Sequence, residues 1–205
     1  MKITIIVEGK TERAFIPYLN KFIKNRIVDR MPSLDPFPYD GLIPTGDKLR
    51  RVVNALLHEN RNPADHVIAL TDVYTGSQPP IFKDASDAKN KMRQWVGDET
   101  RFHPHAAQYD FEAWLLPYWP TIKKLACHNK TAPSGNPEKV NHSNPPAFRL
   151  KEIFEIGKCR DSYVKPRDAG RILRDNDLSV AVAQCAELKA FVNTIISVCG
   201  GNIIP

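Results

Sequence analysis

The first twelve residues, MKITIIVEGKTE (1–12), are the stretch from which the fold can be inferred. Residues 3–7 form a run of β-branched side chains, which predicts a strand buried on both faces. Glu8 follows this strand, and Glu12 lies in the first turn of a predicted helix. Because ligands of open α/β sheets bind at the carboxyl ends of the strands, we expect both carboxylates to face a site there.

Two simpler interpretations of the same stretch were considered. A glutamate after a strand is often a solvated turn residue, and a helix dipole alone favours Glu12. The triplet GKT at residues 9–11 also occurs at the end of nucleotide-binding P-loops. A P-loop needs a further glycine five residues earlier, but Thr4 occupies that position inside the strand. We therefore exclude a P-loop.

Length and composition limit the class of protein. The chain has 205 residues, of which 42% are hydrophobic, enough for one α/β domain with a small helical addition. No apolar run approaches the length of a membrane span, and the N-terminus lacks the form of a signal peptide. We therefore expect a cytoplasmic protein without a membrane partner. The net charge of +6 permits an anionic partner such as nucleic acid without proving one.

The cysteines are widely spaced and form no CxxC pair. In a cytosolic protein this spacing predicts reduced, partly buried thiols rather than a metal site. The four residues concerned are Cys127, Cys159, Cys185 and Cys199.

The pattern of strand, carboxylate and helix recurs along the first part of the chain. Residues 66–71 are a second apolar run that ends at Asp72. Residues 103–109 are a plausible third strand, which Pro104 confines, and Glu112 follows it. Asp110, directly after this strand, can cap a short helix. Strands that alternate with helices imply a parallel sheet. The proline-rich residues 32–44 predict a loop or an irregular extended connection. Helices are predicted at 11–26, 46–60 and 84–96.

The later part of the chain differs in composition. Residues 127–147 are rich in Asn, Pro, Ser and Gly and predict a loop or insertion. Residues 148–205 predict a mostly helical region that packs on an α/β core formed by residues 1–126. Its predicted helices are residues 150–156, 167–174 and 179–198.

Carboxylates at several strand ends predict a metal site. Glu8, Asp72 and Glu112 each follow a predicted strand, and Glu12 can join them. Converging carboxylates repel each other unless a hard divalent cation lies between them. Oxygen ligands suit Mg²⁺ or Mn²⁺, which can activate water and stabilise the leaving oxygen of a phosphodiester.

Three segments carry a resemblance to a known family. IVEGKTE (6–12), LTDVYTG (70–76) and QYDFEAWLL (108–116) resemble the signatures of toprim domains, which occur in topoisomerases, bacterial primases and OLD-type (overcoming lysogenization defect) nucleases. The chain also resembles a bacterial toprim-like family of unknown function with VEGxTE and HEFEAxLF motifs. The resemblance covers residues 1–120 and, more loosely, YVKP at 163–166. It implies a Rossmann-like, mostly parallel central sheet flanked by helices.

The resemblance also implies roles for the acidic residues. Glu8 matches a glutamate that is a metal ligand or general acid–base, and Glu12 matches an acidic residue that assists metal binding. Asp72 matches the first aspartate of a DxD motif, and Glu112 matches the later family glutamate. Tyr74 stands where the second aspartate belongs. This departure leaves open a single-metal site or an inactive remnant.

Basic residues near the end of the chain are candidates for phosphate contacts. Lys165 resembles a C-terminal lysine that OLD-type nucleases use near the scissile phosphate, where it could neutralise developing charge. Arg167 and Arg171 share one face of the following helix, and Lys10 lies beside Glu8. We predict that these four residues contact nucleic acid. A solvated helix face is the alternative interpretation of the arginines.

Three functions fit this pattern. The first is a Mg²⁺-dependent toprim-type nuclease that acts on DNA or RNA. The second is a non-catalytic regulatory subunit, because the resembling family members are often encoded beside an SMC- or ABC-like ATPase in arrangements typical of phage defence. The third is a small-molecule phosphohydrolase, for which Gly9 and Gly76 would have to form a phosphate cradle. Self-association is compatible with each.

Overall fold

The computed structural model describes residues 1–27, 30–39, 41–59, 61–74, 79–139, 144–158 and 162–205. Gly76 and Cys159, which the sequence analysis names, lie outside these ranges. The division of the chain at residues 126 and 147 stays a prediction.

A four-stranded parallel sheet forms the centre of the molecule. The strands are β1 (Lys2–Val7), β2 (Ser33–Pro38), β3 (His66–Asp72) and β4 (Phe102–Ala107), in the order β2-β1-β3-β4. Every neighbouring pair is parallel. The predicted α/β class and parallel sheet are confirmed.

The proline-rich segment forms a strand, so its prediction as a loop or irregular connection was wrong. β2 lies at the edge of the sheet, where it pairs with β1 alone among the described strands. Pro36 and Pro38 have no backbone N–H to donate, and an edge strand tolerates this because one of its sides needs no partner. Most of its side chains are at least partly exposed, so it lacks the apolar run that marks β1 and β3.

Eight α-helices surround the sheet in the described part of the chain. The predicted helices at 11–26, 46–60 and 84–96 are confirmed within a few residues at their ends. A π-helical turn, Ala55–Glu59, continues the second helix, and a 3₁₀ helix, Phe111–Tyr118, follows β4. The α-helices are α1 (Lys10–Ile23), α2 (Gly46–Asn54), α3 (Ala85–Val96), α4 (Trp119–Ala126), α5 (Pro146–Gly157), α6 (Lys165–Arg174), α7 (Leu178–Gln184) and α8 (Ala186–Val198).

The two faces of the sheet bury separate cores. In β1, Ile3, Ile5 and Val7 face a core shared with α1 and the C-terminal helices. Ile6 points to the opposite face, where α2 and α3 cover it. This alternation follows from the two-residue period of a strand, and burial on both faces explains the continuous apolar sequence of β1.

The C-terminal region is helical, but its last predicted helix is two helices. α7 and α8 meet at Cys185 and are bent by 115° relative to each other. The apolar pattern of residues 179–198 continues across the break because α7 and α8 both face the same core. Among the described residues, no single helix is long and apolar enough to cross a membrane. The bent pair of α7 and α8 meets these two criteria only when both helices are counted together.

A buried glutamate connects the long loop to α8. Residues 127–139 form neither helix nor strand. The Glu138 carboxylate accepts hydrogen bonds from the Trp114 indole N–H at 3.0 Å and from the backbone N–H of Glu187 at 3.0 Å. Glu187 lies in the first turn of α8, where unpaired N–H groups need acceptors. Glu138 thereby fixes the loop to both the 3₁₀ helix and α8.

The expectation that all the cysteines are reduced was wrong for one of them. Cys127 is disulfide-bonded. Cys185 and Cys199 are free and buried, as expected.

The strand order creates a switch point beside β1. The chain leaves β1 for β2 on one side and then returns to place β3 on the other side. Ligands of open parallel sheets bind in the crevice outside such a point. Val7 pairs with Leu70, and Asp72 pairs with Ala107. The residues that follow β1, β3 and β4 therefore emerge side by side.

Candidate carboxylate site

Glu8 bridges the switch point between β1 and β3. Its Oε1 atom accepts a hydrogen bond from the Thr71 hydroxyl and another from the Asp72 backbone N–H at 3.0 Å. Both donors belong to the last residues of β3. The strand register therefore holds the Glu8 side chain over the end of the neighbouring strand.

Glu12 lies in the first turn of α1 and is buried. Its Oε2 atom accepts a hydrogen bond from the Gly9 backbone N–H at 3.0 Å, which is the reverse half of a capping box. Glu12 therefore caps the N-terminus of α1, a structural role that is compatible with the simpler interpretation of this residue. Burial and then the charge of Glu112 raise the pKa of Glu12, and the charge of Glu12 in turn raises the pKa of Glu8.

Asp110 is a member of the site that the sequence analysis treated only as a helix cap. It is 4% exposed and follows the end of β4. Its side chain makes no cap hydrogen bond in the 3₁₀ helix. Instead, Oδ2 accepts from the Ala147 backbone N–H at 3.0 Å, while Oδ1 is buried and has no hydrogen-bond partner among the residues that the structure describes. The signal for this residue was present, because it follows a strand just as Asp72 does.

Glu112 is fully buried and pairs with residues from the C-terminal region. Its Oε2 atom lies 3.2 Å from the Lys165 Nζ, and its Oε1 atom accepts from the Tyr163 hydroxyl at 3.3 Å. Both partners come from the YVKP segment that begins α6. The sequence predicts a role for Lys165 but not for Tyr163, because no local pattern marks its hydroxyl.

Burial and mutual repulsion raise the pKa values of four carboxyl groups of the site. Burial raises the pKa of Glu8 to about 7, although its two hydrogen bonds lower it. Burial, followed by the charge of Glu112, raises the pKa of Asp110 to about 7. The pKa of Asp72 is raised well above its usual range by burial and by the charge of Glu8. Burial also raises the pKa of Glu12.

Lys165 carries the positive charge at the centre of this group. Burial lowers the pKa of its ammonium, but the carboxylates of Glu112, Asp72 and Asp110 outweigh this effect and raise the pKa to about 12. The ammonium is therefore charged at any physiological pH. Its side chain is 49% exposed, so it can also reach a bound anion.

The other predicted phosphate contacts lie outside this cluster. Lys10 begins α1 and is exposed. Arg167 and Arg171 both bind the carboxylate of Asp168, which is fully buried, at 2.8 and 3.1 Å. This triad stabilises the first turns of α6. Contact of these three basic residues with nucleic acid stays a prediction, and the two arginines already have a structural role.

The carboxylate oxygens of the site suit a hard divalent cation, although in their present positions they do not surround a place for one. All the candidate ligands are carboxylates, and Asp110 Oδ1 is a buried acceptor without a donor. Within the described ranges, no three acidic, histidine or cysteine side chains come together closely enough to hold an ion. Oε1 of Glu8 and both carboxylate oxygens of Glu112 accept from protein donors, so an ion bound at these atoms would compete with those contacts.

Comparison with known proteins places the chain in a family. A family described as a domain of unknown function, DUF4276, matches residues 7–196, and the chain belongs to it. Comparison with curated protein sequences gave no match.

Solved structures show a related fold. The C-terminal region of the Burkholderia pseudomallei OLD protein is similar with a TM-score of 0.53 and 14% identity, over 97% of this chain and 98% of that one. The C-terminal region of the Xanthomonas campestris pv. campestris OLD protein has a TM-score of 0.49 and 11% identity, over 97% and 96% of the two chains. The first of these likenesses confirms the predicted toprim-like fold.

The raised pKa of Asp110 predicts a pH-dependent effect of Asp110→Asn. An unfolded aspartate has a pKa of about 4, so between about pH 4 and 7 the folded protein binds more protons and loses stability as the pH rises. The Asp110→Asn variant has no carboxyl group at this position, so it does not lose stability in this way as the pH rises. Without divalent metal, we expect it to exceed the wild type by on the order of 1–3 kcal/mol at about pH 8 and to lose that advantage near pH 5.

Urea unfolding of both proteins across this pH range measures the difference. His103 and His105, whose pKa values burial lowers to about 4 and about 3, have the opposite pH dependence. Both histidines are common to the two proteins, so their contributions cancel. A stability difference that is the same at every pH would show that the Asp110 carboxyl has an ordinary pKa.

Proposed function

We propose that this chain is a Mg²⁺- or Mn²⁺-dependent nuclease that hydrolyses phosphodiester bonds of DNA or RNA. One observation carries the proposal. Five carboxylates from β1, α1, β3 and the segment after β4 gather at the carboxyl end of the sheet, and Lys165 lies among them. Burial and repulsion disfavour the charged forms of these carboxyl groups, and a bound cation would stabilise them.

Glu8, Asp72, Asp110 and Glu112 are the residues that would hold the metal, with Glu12 as a further acidic neighbour. A bound Mg²⁺ or Mn²⁺ would polarise a phosphoryl oxygen and activate a nucleophilic water. The unpartnered Oδ1 atom of Asp110 supports this assignment, because a buried carboxylate oxygen otherwise requires a donor.

Other groups of the chain have chemistry suited to the same reaction. Glu12 is not among the proposed ligands, and its raised pKa suits it to accept a proton from an attacking water. The half-exposed Lys165 ammonium can offset the charge that develops on the phosphate. Release of Lys165 from Glu112 would free both groups for these roles.

The second candidate function is a regulatory subunit that binds metal or nucleic acid without cleaving it. Two observations favour it: Tyr74 replaces the second acidic residue of the DxD motif, and the carboxylates do not enclose an ion in their present positions. Both candidates include an SMC- or ABC-like ATPase as partner and a role in phage defence, which are proposals that rest on the family resemblance.

A cleavage assay distinguishes the two candidates. The purified chain is incubated with supercoiled plasmid, single-stranded DNA and single-stranded RNA in Mg²⁺, in Mn²⁺ and in EDTA. The nuclease proposal predicts metal-dependent cleavage of at least one substrate by the chain alone. Absence of cleavage both alone and with a candidate SMC- or ABC-like ATPase, despite metal binding, would favour the regulatory subunit.

A further inference from the structure

The exposed side of α1 carries charge of one sign. Positions 10, 13, 17, 21 and 24 follow one another at three- or four-residue spacing, which places them on one side of the helix. All five residues are exposed, and all except Pro17 are basic: Lys10, Arg13, Lys21 and Lys24. The acidic residue of the helix, Glu12, is buried at the carboxylate site.

α6 carries a second row of the same sign beside the first. None of its arginines is buried, and they have the same three- or four-residue spacing: Arg167, Arg171 and Arg174. The acidic residue of α6, Asp168, is fully buried. The two helices touch where the Tyr18 hydroxyl donates to the Gly170 carbonyl at 2.8 Å. Because Tyr18 is three residues before Lys21 and Gly170 is four before Arg174, this contact lies beside both rows. The two rows together form a basic surface.

The basic surface leads away from the carboxylate site. α1 begins next to Gly9, whose N–H binds Glu12, and α6 begins at Lys165, which binds Glu112. The other ends of the two helices meet at a cavity of about 720 Å³, which both Asn25 and residues 173–179 line. A cavity of this size can take a small ligand. α1 has 14 residues, so the path from the site to the cavity is about 21 Å long.

Helix stability does not explain the basic row of α1. The helix dipole favours cations near the C-terminus, which suits Lys21 and Lys24, but it disfavours Lys10 and Arg13 near the N-terminus. None of these four side chains forms an ion pair with a residue that the structure describes. On α2, α3 and α5, by contrast, a basic residue pairs with an acidic neighbour one turn away. The row on α1 therefore has the charge pattern of a surface for an anionic partner.

The lining of the cavity has a positive net charge. Its charged members are Lys21, Arg26, Arg174, Asp175 and Asp177. Asp175 accepts from the Arg174 guanidinium at 3.1 Å. Asp177 accepts from a backbone N–H of α7 at 2.8 Å, the main cause of its lowered pKa, to which the charges of Arg26 and Lys21 add. Three cations and two anions thus remain in excess of positive charge where the two rows end.

We propose that the basic surface of α1 and α6 is the path along which a nucleic-acid strand leaves the carboxylate site, and that the cavity holds one nucleotide of this strand. The inference rests on the proposed function, because the strand on this path is the one that the carboxylate site cleaves. Each phosphate that a lysine or arginine neutralises releases condensed counterions, which favours binding. Such contacts position a strand without reading its sequence.

Fluorescence anisotropy measures the contribution of the surface. The probe is a fluorescein-labelled oligothymidylate, with Ca²⁺ in place of Mg²⁺ to limit cleavage. Arg13→Gln/Lys21→Gln/Lys24→Gln should weaken binding about 10- to 100-fold at roughly 0.1 M salt. The slope of log K against log salt should become shallower by about two, because each phosphate contact of a single strand contributes about 0.7. The three residues are exposed, so the variant should melt like the wild type.

Lys48→Gln/Arg50→Gln/Arg51→Gln is the matched control for loss of net charge. It removes the same three positive charges from exposed residues of α2, which covers the opposite face of the sheet from α1. This variant should bind the probe like the wild type, with an unchanged salt dependence.

Photocrosslinking maps the path in the wild type and needs no variant. A single 4-thiothymidine is placed at successive positions of the oligonucleotide, and the crosslinked peptides are identified by mass spectrometry. At one range of positions, we expect crosslinks to residues 18–26 or 173–179, which contain the lining of the cavity. Crosslinks confined to α2 and α3 would overturn the path.

The outcomes separate this inference from the proposed function. If both triple variants lose the same affinity, or neither loses any, the path is wrong while the nuclease proposal stands. If only the α1 variant loses affinity but the wild type cleaves no substrate, the path stands and the nuclease proposal fails. Absence of binding by the wild type would overturn both.

Discussion

Glu8→Gln should reduce phosphodiester cleavage by at least about 100- to 1,000-fold, the loss typical for removal of one charge-stabilising group from an active site. The amide is nearly the same size as the carboxylate and can still accept hydrogen bonds from Thr71 and the Asp72 N–H. The change therefore removes charge and metal affinity while it keeps the contacts that bridge β1 and β3.

Stability should not fall with activity. Glu8 has a raised pKa because its charged form is disfavoured in the folded protein, so the neutral amide should melt at the same temperature as the wild type or above it. Glu155→Gln is the control, since Glu155 is an exposed residue of α5. Full activity in Glu8→Gln, or a large drop in its melting temperature, would mean that Glu8 is structural.

Lys165→Met should destabilise the folded chain by about 1–3 kcal/mol at neutral pH in the absence of metal. The substitution leaves the buried Glu112 carboxylate without its cation and increases repulsion among the neighbouring carboxylates. The expected loss is smaller than the usual cost of breaking a buried pair, about 3–5 kcal/mol, because the lysine side chain is half-exposed and water can partly replace it.

A double variant separates loss of charge balance from loss of packing. Glu112→Gln in the Lys165→Met background removes the uncompensated charge and should recover most of the lost stability, which chemical denaturation of the four proteins measures as a coupling energy. Mn²⁺ should also stabilise Lys165→Met more than the wild type. In the variant, the metal ion does not have to compete with the Lys165 ammonium for the carboxylates. Simple additivity of the two substitutions would show that the pair contributes nothing.

Local sequence patterns were enough to predict most of the carboxylates that the structure brings together. Glu8, Asp72 and Glu112 were predicted because each comes after a predicted strand, and parallel strands bring such positions to one edge. Asp110 was missed because its place before a helix suggested a cap, which was a sufficient local explanation. Asp110 instead accepts a hydrogen bond from the backbone N–H of Ala147, 37 residues further along the chain. No local pattern encodes this contact.

The fold was predictable where burial is complete and less so elsewhere. β1 and β3 are buried on both faces, which produces apolar runs that are easy to recognise. β2 is an exposed edge strand with two prolines, so its pairing depends on β1 rather than on its own residues. The break between α7 and α8 at Cys185 could not be predicted from the sequence either, because apolar side chains on both sides of it pack in the same core. Long-range packing decided both features.

The central claim is that the carboxylate cluster is a binding site for a hard cation. Calorimetric titration of Mn²⁺ at neutral pH into the wild type and into Glu8→Gln/Asp110→Asn tests it most directly. Repeating the titration in buffers of different ionisation enthalpy also counts protons, because groups with a pKa of about 7 must release them to bind metal. We predict saturable binding with proton release in the wild type and neither in the double variant. Absence of binding in the wild type, or equal binding in both proteins, would contradict the claim.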